Sequence, residues 1–190
     1  MKIAAVILAA GLSKRFGSQK LLHPVDGKPM PAHTIDALAG FAFDKRICVL
    51  SDATAALQSL TQSAGYTVCH NPAPEQGVSQ SVRIGLAAAR DMDGILFAVG
   101  DQPYLQPASI VRLLDKFAAN PQNIIALAAN GQRGNPVIFP SSLFSELEKI
   151  EGDKGGSAVI AKYPELLILC EIEDATELED IDVGARYIAP

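Results

Sequence analysis

The chain has 190 residues, 48% of them hydrophobic and 19% charged, with a net charge of −5. That is length and apolar content enough for one soluble domain with a substantial core, and residues 1–190 show no linker-like stretch, internal repeat or low-complexity tract that would divide it. The acidic balance argues against bulk nucleic acid or an anionic membrane as the partner, while a small local cationic site stays compatible with it. The apolar start, residues 1–10, is too short for a membrane span and has no cleavage-site pattern, so a cytoplasmic protein is expected.

The first predicted element is a buried strand, Ile3 to Leu8, which empties into Gly11-Leu12-Ser13-Lys14-Arg15-Phe16-Gly17-Ser18-Gln19-Lys20. Glycines at 11 and 17 are expected to let the backbone take positive φ and approach a ligand, so that successive N–H groups converge on phosphate oxygens. Lys14, Arg15 and Lys20 would supply full charges to the same oxygens. The spacing is neither G-x-x-x-x-G-K-[ST] nor G-x-G-x-x-G, which removes most support for a Walker or dinucleotide-binding loop. An ordinary strand-to-helix turn with solvated cations is the alternative.

Leu21 to Met30 reads as a short extended piece closed by an Asp26-Gly27 turn, followed by a helix over about 30–40 that ends near Gly40. Arg46 to Leu50 is a predicted strand, Ala53 to Ala64 a helix stopped by Gly65, and Tyr66 to His70 another strand. This βαβαβ alternation implies a parallel sheet. Asn71 to Gly77 is a proline-marked loop that turns into a helix near Val78, where Ser79 and Ser81 suit a helix start as well as a site. Gly94 to Val99 is the most apolar strand, and it delivers Gly100-Asp101-Gln102-Pro103. Taken singly, Asp101 suits a cap before the 107–118 helix as well as it suits a metal ligand.

Residues 123–129 form the next strand, and Asn130 to Phe139 reads as a glycine-rich turn followed by an extended run. A helix from Ser141 to Ile150, a glycine-rich segment 151–157, a helix over 157–163, a strand from Leu166 to Cys170 and an acidic tail complete the chain. Cys48, Cys69 and Cys170 each fall in an apolar strand-like run, which suggests buried free thiols. His23, His33 and His70 share no motif with them or with each other, so a zinc site or a Ser-His-Asp triad has little to stand on.

L-A-A-G-x-S-x-R-x-G-x-x-K, met by Leu8, Ala9, Ala10, Gly11, Ser13, Arg15, Gly17 and Lys20, resembles the N-terminal motif of MobA-like nucleotidyltransferases, and within them the molybdenum cofactor cytidylyltransferases of the MocA type. The later segments resemble the same family in order and spacing: N-P-x-x-x-x-G-x-x-x-S at Asn71 to Ser81, G-D-x-P at Gly100 to Pro103, N-G-x-x-G-N-P-V at Asn130 to Val137 and G-D-x-G at Gly152 to Gly155. Glu179-Asp180-Ile181-Asp182 stands where the family carries D-x-D-T-P, with Val183-Gly184 replacing Thr-Pro. The likeness runs from residue 3 to about 184 and implies a three-layer, Rossmann-like α/β nucleotidyltransferase fold with a mostly parallel sheet, filled by one MobA-like domain.

The chemistry implied by the resemblance is transfer of CMP from CTP to the phosphate of a molybdenum-pterin cofactor, with release of pyrophosphate. The acceptor phosphate is then the nucleophile, so no serine, cysteine or histidine nucleophile is needed. On this reading Leu8, Ala9, Ala10, Gly11, Ser13, Arg15, Lys20, Gly77 and Ser81 bind the nucleotide. Gly11 and Ser13 hold the β and γ phosphates with Arg15 as a forked partner, and Lys20 meets the α-phosphate. Asp101 and Asp182 hold Mg2+, with Asp180 as the other candidate in the tail, and Gly134, Asn135 and Pro136 face the acceptor. Relatives with similar motifs transfer GMP from GTP to the same cofactor, or CMP to sugar, polyol or choline phosphates. A non-catalytic chaperone delivering the cofactor to a molybdenum hydroxylase is the alternative of another class.

Overall fold

The structure, a computed structural model, describes residues 1–13 and 19–181. Among them, seven strands form one sheet: β1 (Ile3–Ala9), β4 (Lys45–Leu50), β5 (Thr67–His70), β6 (Gly94–Val99), β7 (Ile124–Ala129), β8 (Gln132–Pro140) and β9 (Leu167–Glu171). Strands β2 (Pro24–Val25) and β3 (Lys28–Pro29) make a separate small hairpin. The main sheet runs β5-β4-β1-β6-β8-β7-β9. Every neighbouring pair is parallel except the two that involve β8. The reversal of β8 follows from a two-residue turn: Asn130 and Gly131 both take positive φ, and Ala129 pairs with Gln132. Asp26 and Gly27 close the β2–β3 hairpin in the same way, as expected of Asn-Gly and Asp-Gly in hairpin turns.

Helices cover both faces. Alternate residues of β1 split the core, Ala5, Ile7 and Ala9 joining one cluster and Ala4 and Val6 the other. The first cluster is closed by α1 (Met30–Ala39), the short α2 (Gln58–Ser63) and α4 (Pro107–Ala119), through Ile35, Leu38, Ile110, Leu113 and Phe117. The second is closed by α3 (Val78–Ala88), α5 (Phe144–Leu147) and α6 (Ser157–Lys162), through Val82, Leu86, Leu147, Val159 and Ile160. The period-2 division of strand residues between two helix-covered faces is what makes three layers.

Two expected helices are shorter than their sequences suggest. Residues 53–64 open as a 3-10 turn, Asp52–Leu57, before α2 begins. Ser51 and Thr54 form a buried capping box at the start of that turn. The stretch 141–150 contains a 3-10 turn, Ser141–Leu143, and then α5, which is only 4 residues long. Gly134, Asn135 and Pro136, expected in or beside a turn, lie within β8 itself, because the turn takes only two residues.

Cys48 and Cys170 are buried, Cys69 is half-buried, and all three are free thiols. Burial pushes the Cys48 thiol up to about 12, with the neighbouring Cys69 adding to the shift. No helix among the described residues is long and apolar enough to cross a membrane.

Candidate active site

The order of the strands fixes where a ligand site can form. From β1 the chain steps outward through β4 to β5, then returns to lay β6 on the other side of β1. The loops leaving β1 and β6 therefore diverge, and they open a crevice at the carboxyl ends of these strands. A cleft of about 960 Å³ lies there, walled by Leu8, Ala10, Gly11 and Ser13 from the first loop, Gly77, Val78 and Ser81 at the start of α3, and Val99 and Asp101 after β6.

Lys20 reaches across this cleft. It is 8% exposed, and its Nζ stands 3.0 Å from Asp101 Oδ2. The two charges come from positions 81 residues apart in the chain. Asp101 does not cap α4. That helix starts after Gln106, and the buried carboxylate of Glu177 accepts hydrogen bonds there from the Gln106 backbone N–H at 3.0 Å and the Ser109 hydroxyl at 3.0 Å.

Gln19 shapes the described ends of the first loop. Its Oε1 accepts from Ser13 Oγ at 2.6 Å and its Nε2 donates to the Gly11 carbonyl at 3.0 Å. Among the described residues of this loop the left-handed one is Ser13, at φ 51°, and not Gly11. A Cβ built at Gly11 would meet nothing within 4 Å, so the absence of a side chain there leaves open space in the cleft rather than permitting a special turn. Arg15 and Gly17 lie outside the described residues, as does Asp182.

The opposite wall is set by Asn71, which is 1% exposed. Its side chain donates to Ser81 Oγ at 2.9 Å and accepts from Ala73 N–H at 2.9 Å, tying the proline-marked loop to α3. Ser81 lines the cleft, whereas the Ser79 hydroxyl is buried without a hydrogen-bond partner among the described residues. Gly77 has φ 92°, and a Cβ there would stand 2.5 Å from the Gly152 backbone and 2.6 Å from Asp153 Oδ1. Glycine is thus required twice over, for its conformation and for its lack of a side chain. Gly77→Ala should cost about 1–3 kcal/mol, read as a fall of several degrees in melting temperature; an unchanged Tm would show that the 152–153 segment does not press on α3.

Of the remaining predicted nucleotide contacts, Leu8 lines the cleft and Ala10 does so with its carbonyl held by the Ser51 hydroxyl at 3.1 Å. Ala9 is turned into the core beneath α1 and α4 and belongs to no wall of the cleft. Glu75, Asp153 and Asp180 line it too. Asp153 carries the one signal in sequence that marks it, the G-D-x-G segment, while Gln19 and Ser51 carry none, since each acts through a carbonyl of the first loop.

A second pocket, about 240 Å³, adjoins the first and shares Leu8, Val78 and Val99 with it. Its wall is largely apolar, with Phe97, Val137, Phe139 and Ile160, and Arg133, Asn135 and Lys154 add polarity. Of the predicted acceptor residues, Asn135 lines this pocket. Gly134 is covered instead by Leu178, whose Cδ1 would stand 2.9 Å from a Cβ at that position.

Among the described residues no three His, Cys, Asp or Glu side chains converge to cage a metal ion. Mg2+ does not require such a cage, since it takes one or two carboxylates and keeps substrate phosphates and water as its other ligands. Asp101 and Asp180, hard oxygen donors on the wall of one cleft, fit that requirement.

Residues 5–166 match the MobA-like NTP transferase domain family. The chain is 30% identical to a probable molybdenum cofactor guanylyltransferase of Pyrococcus horikoshii, over 81% of this chain and 76% of that protein. It is 26% identical to the purine catabolism protein PucB of Bacillus subtilis, over 97% and 94% of the two chains. Among solved structures it resembles Rv0371c of Mycobacterium tuberculosis, with a TM-score of 0.83, 28% identity and coverage of 96% and 94%. The manganese complex of that protein matches with a TM-score of 0.76, 26% identity and coverage of 92% and 90%. With the family's domain covering most of its length, this chain belongs to the MobA-like NTP transferase domain family.

Proposed function

We propose that the protein transfers CMP from CTP to the phosphate of a molybdenum-pterin cofactor and releases pyrophosphate. The observation that carries this reading is the pairing of Lys20 with Asp101 at 3.0 Å inside the large cleft at the β1 and β6 ends. A cation and a carboxylate side by side, next to a loop rich in backbone N–H groups, suit a nucleotide phosphate chain better than they suit proton transfer. An oxygen of the acceptor phosphate attacks the α-phosphorus, the bond from that phosphorus to the bridging oxygen breaks, and pyrophosphate leaves.

Lys20 meets the α-phosphate, where charge builds as the two anions approach. Its ammonium has three donors and Asp101 has four lone-pair sites, so each can keep the other and still accept a second partner. Gly11 and Ser13 hold the β and γ phosphates through backbone N–H groups, with Arg15 as the forked partner. Gly77 and Ser81 form the wall beside the nucleoside. Asp101, together with Asp180 in the cleft and with Asp182, would hold Mg2+, which when bound neutralises negative charge on the phosphate oxygens. Asn135, with Arg133 and Lys154, faces the acceptor in the adjoining pocket: the apolar wall suits its ring system and the cations suit its anionic group.

GTP is the second reading for the donor, favoured by the likeness to the Pyrococcus horikoshii protein. Ala10 bears on the choice. It is 2% exposed, lines the cleft and cannot be displaced cheaply, because its carbonyl is fixed by Ser51. On the cytidylyl reading a methyl group at position 10 narrows the space beside a base, where glycine would leave more room, and so disfavours the larger purine. A methyl-sized difference is worth about 1–3 kcal/mol, so CTP should support pyrophosphate release at least about tenfold better than GTP, and Ala10→Gly should narrow that gap without inverting it. A wild-type preference for GTP would replace the cytidylyl reading by the guanylyl one. Absence of pyrophosphate release with either nucleotide and the cofactor would favour a cofactor-binding chaperone.

A further inference from the structure

Gln102 follows Asp101 directly, yet its side chain turns away from the open cleft and is 4% exposed. Its Nε2 donates to Asp180 Oδ1 at 2.9 Å and to the Leu178 carbonyl at 2.9 Å. The backbone of the same turn takes part as well, with the Ile181 N–H donating to the Asp101 carbonyl at 3.3 Å. Upstream, the Glu177 carboxylate is locked onto the start of α4, and Leu178 sits against Gly134. The acidic segment is thus fastened at Glu177, Leu178, Asp180 and Ile181, and the contact from Gln102 sets the carboxylate of Asp180 on the cleft wall that also carries Asp101.

We infer that Gln102 is a positioning residue: its amide holds the Asp180 carboxylate beside Asp101, so that a divalent cation entering with the nucleotide meets two carboxylates already in place. This rests on the metal-dependent transferase reading given above. The chemistry of the donor matters. A neutral amide fixes a carboxylate by hydrogen bonding while leaving its negative charge intact for a cation, whereas a lysine or arginine in the same place would cancel much of that charge. The covalent link between positions 101 and 102 adds economy, because one turn after β6 presents its own carboxylate and orients another. Outer hydrogen-bond partners of metal-binding groups are typically worth about 10- to 100-fold in metal affinity.

The test measures Mn2+ affinity by electron paramagnetic resonance in the presence of a non-hydrolysable CTP analogue, for the full chain and its variants. Gln102→Met, close in volume and without a donor, should weaken Mn2+ binding by about tenfold while leaving the affinity for the analogue at saturating Mn2+ within about twofold of wild type. Asp180→Asn should weaken it by a similar factor, and adding Gln102→Met to Asp180→Asn should bring no further loss, since both changes remove one interaction. Unchanged Mn2+ affinity in a folded Gln102→Met protein overturns the inference. Should that variant fail to fold, unchanged Mn2+ affinity in Asp180→Asn overturns it equally. Pyrophosphate release by the wild type is scored separately: its absence counts against the transferase reading, while the Mn2+ comparison alone decides the role of Gln102.

Discussion

Asp101→Asn should lower kcat for pyrophosphate release by at least about 100-fold, the scale of removing one key electrostatic group from a phosphoryl-transfer site. The replacement keeps the shape of the side chain and removes the charge that a divalent cation and Lys20 both use. Stability should change far less than activity, since the Asn Oδ1 can still accept from the Lys20 ammonium. The carboxylate is partly open to water, with 29% of the side chain exposed, and the helix that follows is capped by Glu177 and not by Asp101. The backbone carbonyl that accepts from Ile181 is untouched by the change. Steady-state kinetics beside a thermal melt therefore separate the two roles: near-normal activity in Asp101→Asn would sink its assignment, and a large fall in Tm with proportionate loss of activity would make it structural.

Lys20→Ala should lower kcat by about 100-fold and raise KM for the nucleotide by less than about threefold, because a contact that strengthens as charge develops on the α-phosphate is lost chiefly from the transition state. The buried placement sharpens the effect. With 10% of its side chain exposed, the ammonium acts where water screens it little, and no neighbouring solvent can replace it at the same point. Arg15→Ala should show the opposite division, with KM raised and kcat largely kept, since contacts to the β and γ phosphates serve binding of the ground state. If both variants changed KM alone, the division of roles between these two cations would be wrong.

Much of the layout can be read from residue patterns because its causes are local. Apolar runs such as Ile3 to Leu8 and Gly94 to Val99 had to be buried strands, and Asp26-Gly27 marks a turn by its own conformational preferences. Alternation of such strands with helices made a three-layer, mostly parallel sheet the expected result, and the sheet is of that kind. Where composition misled, the difference is in how the element opens. Residues 53–57 have helical composition, yet after the Ser51–Thr54 capping box they run as a 3-10 turn before α2 begins.

The first loop and Asp101 could be suspected from sequence as parts of one phosphate site, since residue type and order within the chain are enough to raise that suspicion. That they face each other was decided by the topology, which places β6 beside β1 and opens the crevice between their ends. Ala9 illustrates the limit: it sits inside the motif, yet the two-residue period of the strand turns it into the opposite core. Sequence alone thus determined the family motif and the kinds of charge it carries. Only the tertiary structure decided which of those side chains share a cleft, and that Ser51 and Gln102, 41 and 78 residues from their partners, hold them there, because hydrogen bonds between distant segments leave no spacing rule in a single chain.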